Sequence, residues 1–293
     1  MKIIDAHVHF SDIDRFRKTA AEISKIDYSS EGLLRSFSDN RIAACIAMGL
    51  TETAPGRFPD HLAHTPMMPD LETEWPKGMF CCAGINPADL QARGRQAVAE
   101  LRHALSQPQT VGIKLYAGYY PFYVTDAVYD PVYALASEFG LPIVIHGGIT
   151  YSERGLLKYS HPQSFDEAMV RHEDLTFVVC HLGEPWVMDT AALISKNPNV
   201  VADLSGLLVA DAPTITKKAA QTGEMLRLRQ PLLFEERYDR FLFGSDWPLA
   251  PLDAYVEFVK TLIPETYHGD VFYRNALRVF PKLREALAMA HPI

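Results

Sequence analysis

The segment Asp5-Ala6-His7-Val8-His9 ends a short apolar run that begins at Ile3. Such a run is typical of a buried β-strand, and side chains alternate across a strand, so His7 and His9 should point to the same side. Two imidazoles held in this way on a rigid strand could bind one metal ion. The His-x-His pattern alone is a weak signal, and two structural histidines are an equally good interpretation of it.

Seven further short apolar runs follow along the chain. They lie at 42–48, 79–85, 111–115, 141–145, 175–180, 200–203 and 241–243. Near-continuous apolar runs are expected of a parallel sheet that helices cover on its outer face. Eight strand–helix units predict an α/β fold, a (β/α)₈ TIM barrel, in a single domain over 1–293, and a doubly wound sheet is the alternative.

The segments between the strands are predicted to be helices or loops. The predicted helices lie at 31–37, 88–106, 131–139, 165–172, 213–237, 251–262 and 266–290, with one more between Glu184 and Asn197. Gly140 should end the helix that precedes it, because glycine readily adopts the left-handed conformation. Residues 51–77 contain five prolines and predict a long loop of the kind that often covers an active site.

Composition restricts the compartment and the partners. The chain of 293 residues is 48% hydrophobic and carries a net charge of −8, which disfavours nucleic acid as a partner. No signal peptide is visible, and no apolar run approaches the ~20 residues that span a bilayer. The four cysteines form no Cys-x-x-Cys pair, so we expect buried free thiols and a cytoplasmic protein, with a homo-oligomer left open.

Polar residues mark the ends of several predicted strands. They are His7 and His9 after the first strand, Lys114 in the fourth, His146 after the fifth, His181 after the sixth and Asp246 after the eighth. The carboxyl ends of barrel strands share one face, where such barrels carry their chemistry. One strand-end histidine is usually a hydrogen-bonded core residue, but four histidines and an aspartate indicate a shared pocket.

Three imidazoles and a carboxylate are typical ligands of Zn²⁺, and less selectively of Mn²⁺, Fe²⁺ or Co²⁺. With one coordination position open, such an ion lowers the pKa of water to about 7. A nearby carboxylate could then accept the proton of that water.

The motifs that surround these residues occur in a specific order. They are Asp-Ala-His-Val-His, Gly-Ile-Lys-Leu, Ile-His-Gly-Gly, Cys-His-Leu-Gly, Phe-Gly-Ser-Asp-Trp-Pro and Asn-Ala-Leu-Arg-Val-Phe. In this order, from Asp5 to Phe280, the chain resembles the amidohydrolase superfamily. The resemblance is closest to the amidohydrolase-related branch that contains aminocarboxymuconate-semialdehyde decarboxylase and resorcylate decarboxylase. It implies a distorted (β/α)₈ barrel with a mono- or binuclear metal centre.

The resemblance also implies roles for individual residues. His7, His9, His146 and Asp246 would be the ligands of one main metal ion, and His181 would be a catalytic or second-site residue. The role of Lys114 stays open. In binuclear members the lysine at this position is carboxylated and bridges two metals. In mononuclear members the residue at this position contacts the substrate or is structural. A lysine neutralised by a nearby carboxylate is a further interpretation of Lys114. The mononuclear form is the closer resemblance, so one ion per chain is expected.

Further candidates lie in predicted loops on the same face. Tyr116, Arg154 and His161 are candidate substrate-binding residues, because a guanidinium offers a planar fork to a carboxylate. Asp203, which ends the seventh strand, could support a metal ligand. Exposed loop residues of these types are more often simply solvated.

Three functions fit this sequence. The first is metal-dependent hydrolysis of a small-molecule amide, lactone or ester, in which Asp246 takes the proton of the attacking water and protonated His181 stabilises the oxyanion. The second is metal-dependent, non-oxidative decarboxylation of an aromatic or unsaturated acid, with Asp246 as the proton donor. The third is a barrel that only binds a ligand or a metal, against which the complete set of polar residues argues.

Overall fold

The computed structural model describes residues 1–71 and 74–290 and contains eight parallel strands that pair in sequence order. The strands are β1 (Ile3–Val8), β2 (Ile42–Met48), β3 (Met79–Ile85), β4 (Thr110–Leu115), β5 (Ile143–Ile145), β6 (Phe177–Val179), β7 (Val200–Asp203) and β8 (Phe241–Leu242). Helices surround this sheet, so the predicted (β/α)₈ TIM barrel is confirmed, and every predicted strand is present within a few residues of its predicted position.

The barrel closes through the segment that follows β8. β8 has only two residues, but the chain beyond it continues to bond to β1. The backbone N–H of Ala6 donates to the carbonyl oxygen of Phe243 at 2.9 Å. The N–H of Asp246 donates to the carbonyl oxygen of His7 at 2.8 Å, and the N–H of His9 donates to the carbonyl oxygen of Trp247 at 2.7 Å. These bonds place Asp246 directly beside the two histidines of β1.

Twelve α-helices lie within the described residues. They are α1 (Asp14–Thr19), α2 (Ser30–Asn40), α3 (Pro87–Arg93), α4 (Arg95–Ser106), α5 (Asp130–Phe139), α6 (Asp166–Arg171), α7 (Val187–Lys196), α8 (Ala212–Ala219), α9 (Thr222–Glu235), α10 (Leu252–Leu262), α11 (Asn275–Val279) and α12 (Pro281–Ala290). Across the described residues, no helix is long and apolar enough to cross a membrane.

Two of the three buried apolar clusters form the two layers of the barrel core. The larger layer packs the strands against the surrounding helices. The smaller one includes strand residues such as Ile46 and Val144, together with Phe280 between α11 and α12 and Leu283 of α12. Gly112 shows how tight this second layer is, because a Cβ at this position would lie 3.4 Å from Phe280 Cε1 and 2.8 Å from a cysteine sulfur.

Some predicted helices differ from the observed ones. The predicted helix over 88–106 is two helices, because Gly94 between them has a φ of +51°. The predicted helix over 213–237 is likewise divided between α8 and α9, and the one over 266–290 is divided into several shorter helical segments. A further helix at α1, which continues as a π-helical turn over Ala20–Ser24, was not predicted. It has no side-chain N-cap, and its mixed sequence shows no clear helical periodicity.

The described part of the predicted loop over 51–77 contains no helix or strand and is fixed by polar anchors. Asp89 at the start of α3 accepts a hydrogen bond from the backbone N–H of Thr65 at 2.8 Å. The amide of Asn86 donates to the carbonyl of Ala63 at 2.7 Å. Both anchors follow β3, so the end of this strand holds the loop beside the carboxyl face of the barrel.

Candidate metal centre

His7, His9 and Asp246 form a compact buried group whose candidate ligand atoms all lie within 4.8 Å of one another. Asp246 Oδ1 lies 3.1 Å from His9 Nε2 and 3.5 Å from His7 Nε2. Asp246 Oδ1 and His7 Nε2, which face each other in this group, are buried without a hydrogen-bond partner. Unsatisfied buried polar atoms are costly, and a divalent cation among them would remove this cost, so the residues present fit a metal ion.

Asp203 controls the orientation of His7. Its Oδ2 lies 2.9 Å from His7 Nδ1. Because an ionised carboxylate only accepts hydrogen bonds, the proton of His7 lies on Nδ1 and the lone pair of Nε2 faces Asp246. Burial alone would raise the pKa of Asp203, but the facing His7, the nearby His181 and the Ser205 hydroxyl outweigh it and hold this pKa far below its ordinary value. Asp203 is therefore ionised at neutral pH.

His181 is fixed by the same carboxylate. Asp203 Oδ1 accepts the backbone N–H of His181 at 2.9 Å and the hydroxyl of Ser205 at 2.5 Å. Because the Ser205 hydroxyl donates its hydrogen bond to Asp203, its oxygen can only accept from His181 Nδ1, which lies 2.9 Å away. His181 also has a φ of +59°, which is unusual for a residue other than glycine. Burial lowers the pKa of His181 to about 4, so its ring is neutral at pH 7.

His146 lies beside this group but makes different contacts. Its ring centroid is 4.9 Å from that of His181 and 4.7 Å from that of Tyr119. Its Nε2 lies 3.2 Å from the carbonyl oxygen of Ile149. Burial lowers the pKa of His146 well below its ordinary value, so its ring is neutral as a metal ligand requires. The structure therefore brings His146 to the same pocket, while its role as the fourth ligand stays a prediction.

Lys114 is buried among these residues, at a relative exposure of 1%. Its Nζ lies 2.8 Å from Cys180 Sγ and 5.5 Å from the centre of the Tyr116 ring. No Asp or Glu of the described residues forms an ion pair with Lys114, so the interpretation of a lysine neutralised by a carboxylate finds no partner. Cys180 also forms a second candidate metal-binding group with His7 and His181. Sequence reasoning missed this cysteine, although it directly precedes His181.

Asp246 is held in place by a contact between β1 and the segment that follows β8. Asp5 accepts hydrogen bonds from the hydroxyl of Ser245 at 2.6 Å and from its backbone N–H at 2.9 Å. Asp246 itself has a φ of +61°. Although burial raises its pKa, the facing imidazoles of His181, His9 and His7 outweigh this effect and hold the pKa of Asp246 well below its ordinary value, so Asp246 is ionised at neutral pH. Sequence reasoning assigned no role to Asp5 or Ser245, although both lie inside the motifs it used.

A cavity of about 230 Å³ opens over this centre. His9, His146, His181, Asp246 and Lys114 line it together with a wall of aromatic and aliphatic side chains. The wall residues include Phe16, Phe58, Tyr116, Tyr119 and Tyr151. Phe16 comes from the unpredicted helix α1, and the other wall residues come from loops.

The three candidate substrate-binding residues separate in the structure. Tyr116 lines the cavity. Arg154 does not, because its guanidinium donates to the carbonyl oxygens of Gly56 and Phe58. His161 lies outside the cavity lining as well, with its ring 4.5 Å from that of Trp186.

Solved structures with the same fold include enzymes of more than one kind. A probable 2-pyrone-4,6-dicarboxylic acid hydrolase from Acinetobacter baumannii is 12% identical, with 96% of this chain and 100% of that chain covered and a TM-score of 0.62. A 2,6-dihydroxybenzoate decarboxylase from Rhizobium is 16% identical, with 96% and 99% covered and a TM-score of 0.61. An amidohydrolase from Burkholderia multivorans, solved with bound zinc, is 20% identical, with 96% and 99% covered and a TM-score of 0.62.

At these identities the similarity to solved structures shows the fold alone. No curated protein matches the chain. The model of the amidohydrolase family, in contrast, matches residues 4–282. This match begins at the second residue of β1 and contains the seven other strands and every residue of the candidate metal centre. The chain therefore belongs to the amidohydrolase family.

Proposed function

We propose that this protein is a metal-dependent hydrolase of a small-molecule ester, lactone or amide, with His7, His9, His146 and Asp246 holding one ion. The observation that carries the proposal is that His7 Nε2 and Asp246 Oδ1 are buried without a hydrogen-bond partner. Asp246 also lines the floor of an open cavity. The donor set of imidazoles and one carboxylate suits Zn²⁺ best. When bound, such an ion polarises a carbonyl group and lowers the pKa of water to about 7.

Asp246 is the proposed proton carrier. It is ionised at neutral pH and lines the cavity, so it can accept the proton of the attacking water and pass it to the leaving group. Its Oδ1 faces the two histidines of β1, whereas its Oδ2 lies 3.9 Å from His181 Nδ1. One carboxylate can thus serve the ligand group with one oxygen and the reaction with the other.

The stabilisation of the oxyanion is assigned to Lys114. A protonated His181 was expected in this role, but a pKa lowered to about 4 leaves that ring neutral. Lys114 is the one Lys or Arg among the described residues that line the cavity. A preorganised, buried cation stabilises developing negative charge more strongly than it would in solution. His181 instead orients the substrate through the ring nitrogen that Ser205 leaves free.

The test compares metal-free and Zn²⁺-reconstituted protein on panels of aryl esters, lactones, amides and aromatic acids. The proposal predicts that an ester, lactone or amide is hydrolysed only by the reconstituted protein. Release of CO₂ from an aromatic acid without hydrolysis of any panel member would instead identify a decarboxylase. Full metal occupancy with neither reaction would favour a barrel that only binds. Equal hydrolysis with and without metal would contradict the mechanism.

A further inference from the structure

We propose that the cavity takes a substrate with a single ring, and that the part of this substrate remote from the metal ligands carries no charge. The inference rests on the proposed metal-dependent function and adds the class of substrate. It is carried by the way the cavity wall is built above the histidines.

Aromatic rings begin directly next to the candidate ligands. The Phe16 ring centroid lies 4.6 Å from that of His9, and the Tyr119 ring lies 4.7 Å from that of His146. Phe58 joins these two rings, at 6.2 Å from Phe16 and 5.0 Å from Tyr119. A substrate group that leaves the metal centre therefore enters a space enclosed by ring faces.

The tyrosines of this wall present rings rather than free hydroxyls. Tyr116 donates its hydroxyl hydrogen to the carbonyl oxygen of Gly49 at 2.8 Å. The Tyr119 hydroxyl accepts the backbone N–H of Tyr151 at 2.7 Å, and the Tyr151 hydroxyl is paired with that of Thr19. The Tyr116 hydrogen is taken by the protein, whereas Tyr119 only accepts and keeps its own hydrogen. The tyrosines of the wall can therefore offer a substrate carboxylate neutral donors but no cation.

The arginines near the mouth are also engaged elsewhere. Arg15 forms two hydrogen bonds with Glu153, at 2.7 and 2.8 Å, and Arg154 binds the carbonyl of Phe58. Glu184 at the cavity edge is acidic, and Arg227, with which it is paired, does not line the cavity. A carboxylate on the remote part of a substrate would lose its hydration here and gain no cation in return, which is strongly unfavourable.

The volume of the cavity matches a substrate with one ring. A cavity of ~150 Å³ lined by apolar side chains is known to hold benzene. The cavity of about 230 Å³ over the metal centre therefore accommodates one six-membered ring with a few further atoms. Lys114 lies beside the ligands at the floor, so its charge serves the reacting group and not the remote part of the ring.

Hydroxamates test this inference without turnover, because they bind the metal and carry a variable group into the cavity. Calorimetry on Zn²⁺-reconstituted protein would compare acetohydroxamate, benzohydroxamate and its para-methyl and para-carboxy derivatives. Burial of the ring should make benzohydroxamate bind at least ~10-fold more tightly than acetohydroxamate. The para-carboxy compound should bind at least ~10-fold more weakly than the para-methyl compound. A para-carboxy compound that binds as tightly as the para-methyl one would overturn the inference, as would a ring that adds no affinity.

A pair of variants at the rim provides the matched control. Ile149 lines the cavity and is 61% exposed, so the fold should tolerate a polar side chain at this position. Ile149→Arg should improve binding of the para-carboxy compound relative to the para-methyl one by roughly 10-fold, because it supplies the missing cation. Ile149→Gln should leave that ratio unchanged. The same ratio in both variants would show that the lack of a cation does not set the selectivity.

These outcomes separate the inference from the proposed function. Absence of hydrolysis combined with the expected order of hydroxamate affinities would reject the hydrolase and keep the substrate class. Hydrolysis that prefers esters with a remote carboxylate would keep the hydrolase and reject the substrate class.

Discussion

At the scale of single residues, Asp203 links the two histidines that the chemistry needs. It binds His7 Nδ1 with one oxygen and the His181 backbone and Ser205 hydroxyl with the other. An asparagine at this position would place its N–H₂ group opposite a donor, either His7 Nδ1 on one side or the His181 N–H and the Ser205 hydroxyl on the other. One set of hydrogen bonds would therefore be lost. The sequence predicted that Asp203 supports a metal ligand, but only the structure identifies His7 and His181 as its partners.

Asp203→Asn should therefore weaken metal binding. Loss of such an outer partner of a ligating histidine typically lowers metal affinity about 10–100-fold. Competition against a chromophoric chelator would measure the change. Asp211→Asn is the control, because Asp211 caps α8 away from the site and asparagine caps a helix equally well. Unchanged zinc affinity in a folded Asp203→Asn protein would contradict the role given to Asp203.

Asp246→Asn should separate proton transfer from metal binding. The amide keeps an oxygen that can face His7 and His9, and three histidines suffice to hold zinc in known catalytic sites. An amide oxygen does not accept a proton at neutral pH, so turnover should fall by about 10²–10⁴-fold. Metal content and turnover would be measured on the same preparation. Near-normal turnover would mean that another group carries the proton.

At the scale of elements, the strands were predictable and the breaks between helices were not. Runs such as Ile42–Met48 are short, continuous and apolar, and five of the seven residues of this one are buried. The helical pattern over 88–106, in contrast, continues across Gly94, and only the observed φ of +51° shows that the chain turns there. Helix α1 is fixed by tertiary contacts such as Phe16 against His9, which no local pattern records.

Gly94→Ala should destabilise the protein although it creates no clash. No atom lies within 4 Å of a Cβ built at Gly94, so the cost comes from the backbone conformation alone. Residues held at such φ values typically cost about 1–3 kcal/mol. Urea denaturation would measure the free energy of unfolding. Gly223→Ala is the matched control, because Gly223 lies in α9 with equally open surroundings and no positive φ, and this change should be neutral or stabilising. Equal stability of both variants would show that the break at Gly94 is unstrained.

Asp89, which anchors the loop over 51–77, should make stability depend on acidic pH. Burial opposes its ionisation, but Arg93, the Thr65 N–H and His64 outweigh this and hold the pKa of Asp89 below its ordinary value. A lowered pKa adds stability that is present above the ordinary value of about 4 and is lost as the pH falls through the folded value.

Asp89→Asn should therefore destabilise the protein at pH 7 by roughly 1–3 kcal/mol. The difference from the wild type should shrink as the pH falls from 6 to about 3. Thermal unfolding across this range would measure both proteins. A difference that stays constant with pH would show that the charge of Asp89 is not what holds the loop.

At the scale of the whole molecule, the barrel explains why residues 240 positions apart form one site. His7 and Asp246 could be assigned to one pocket because parallel strands bring their carboxyl ends together. In the structure His7 Nε2 lies 3.5 Å from Asp246 Oδ1. The cavity wall could not be assigned in this way. Arg154 turns to a loop carbonyl instead of the pocket, and this choice depends on loop conformations that the sequence pattern does not encode.

The central claim is that one metal ion lies between His7, His9 and Asp246. Crystals of the Zn²⁺-reconstituted protein, with diffraction data collected on both sides of the zinc absorption edge, would test it most directly. The account predicts one strong anomalous peak per chain, within bonding distance of His7 Nε2 and Asp246 Oδ1. A peak confined to the Cys180 side of the pocket, or no peak in fully loaded protein, would contradict it.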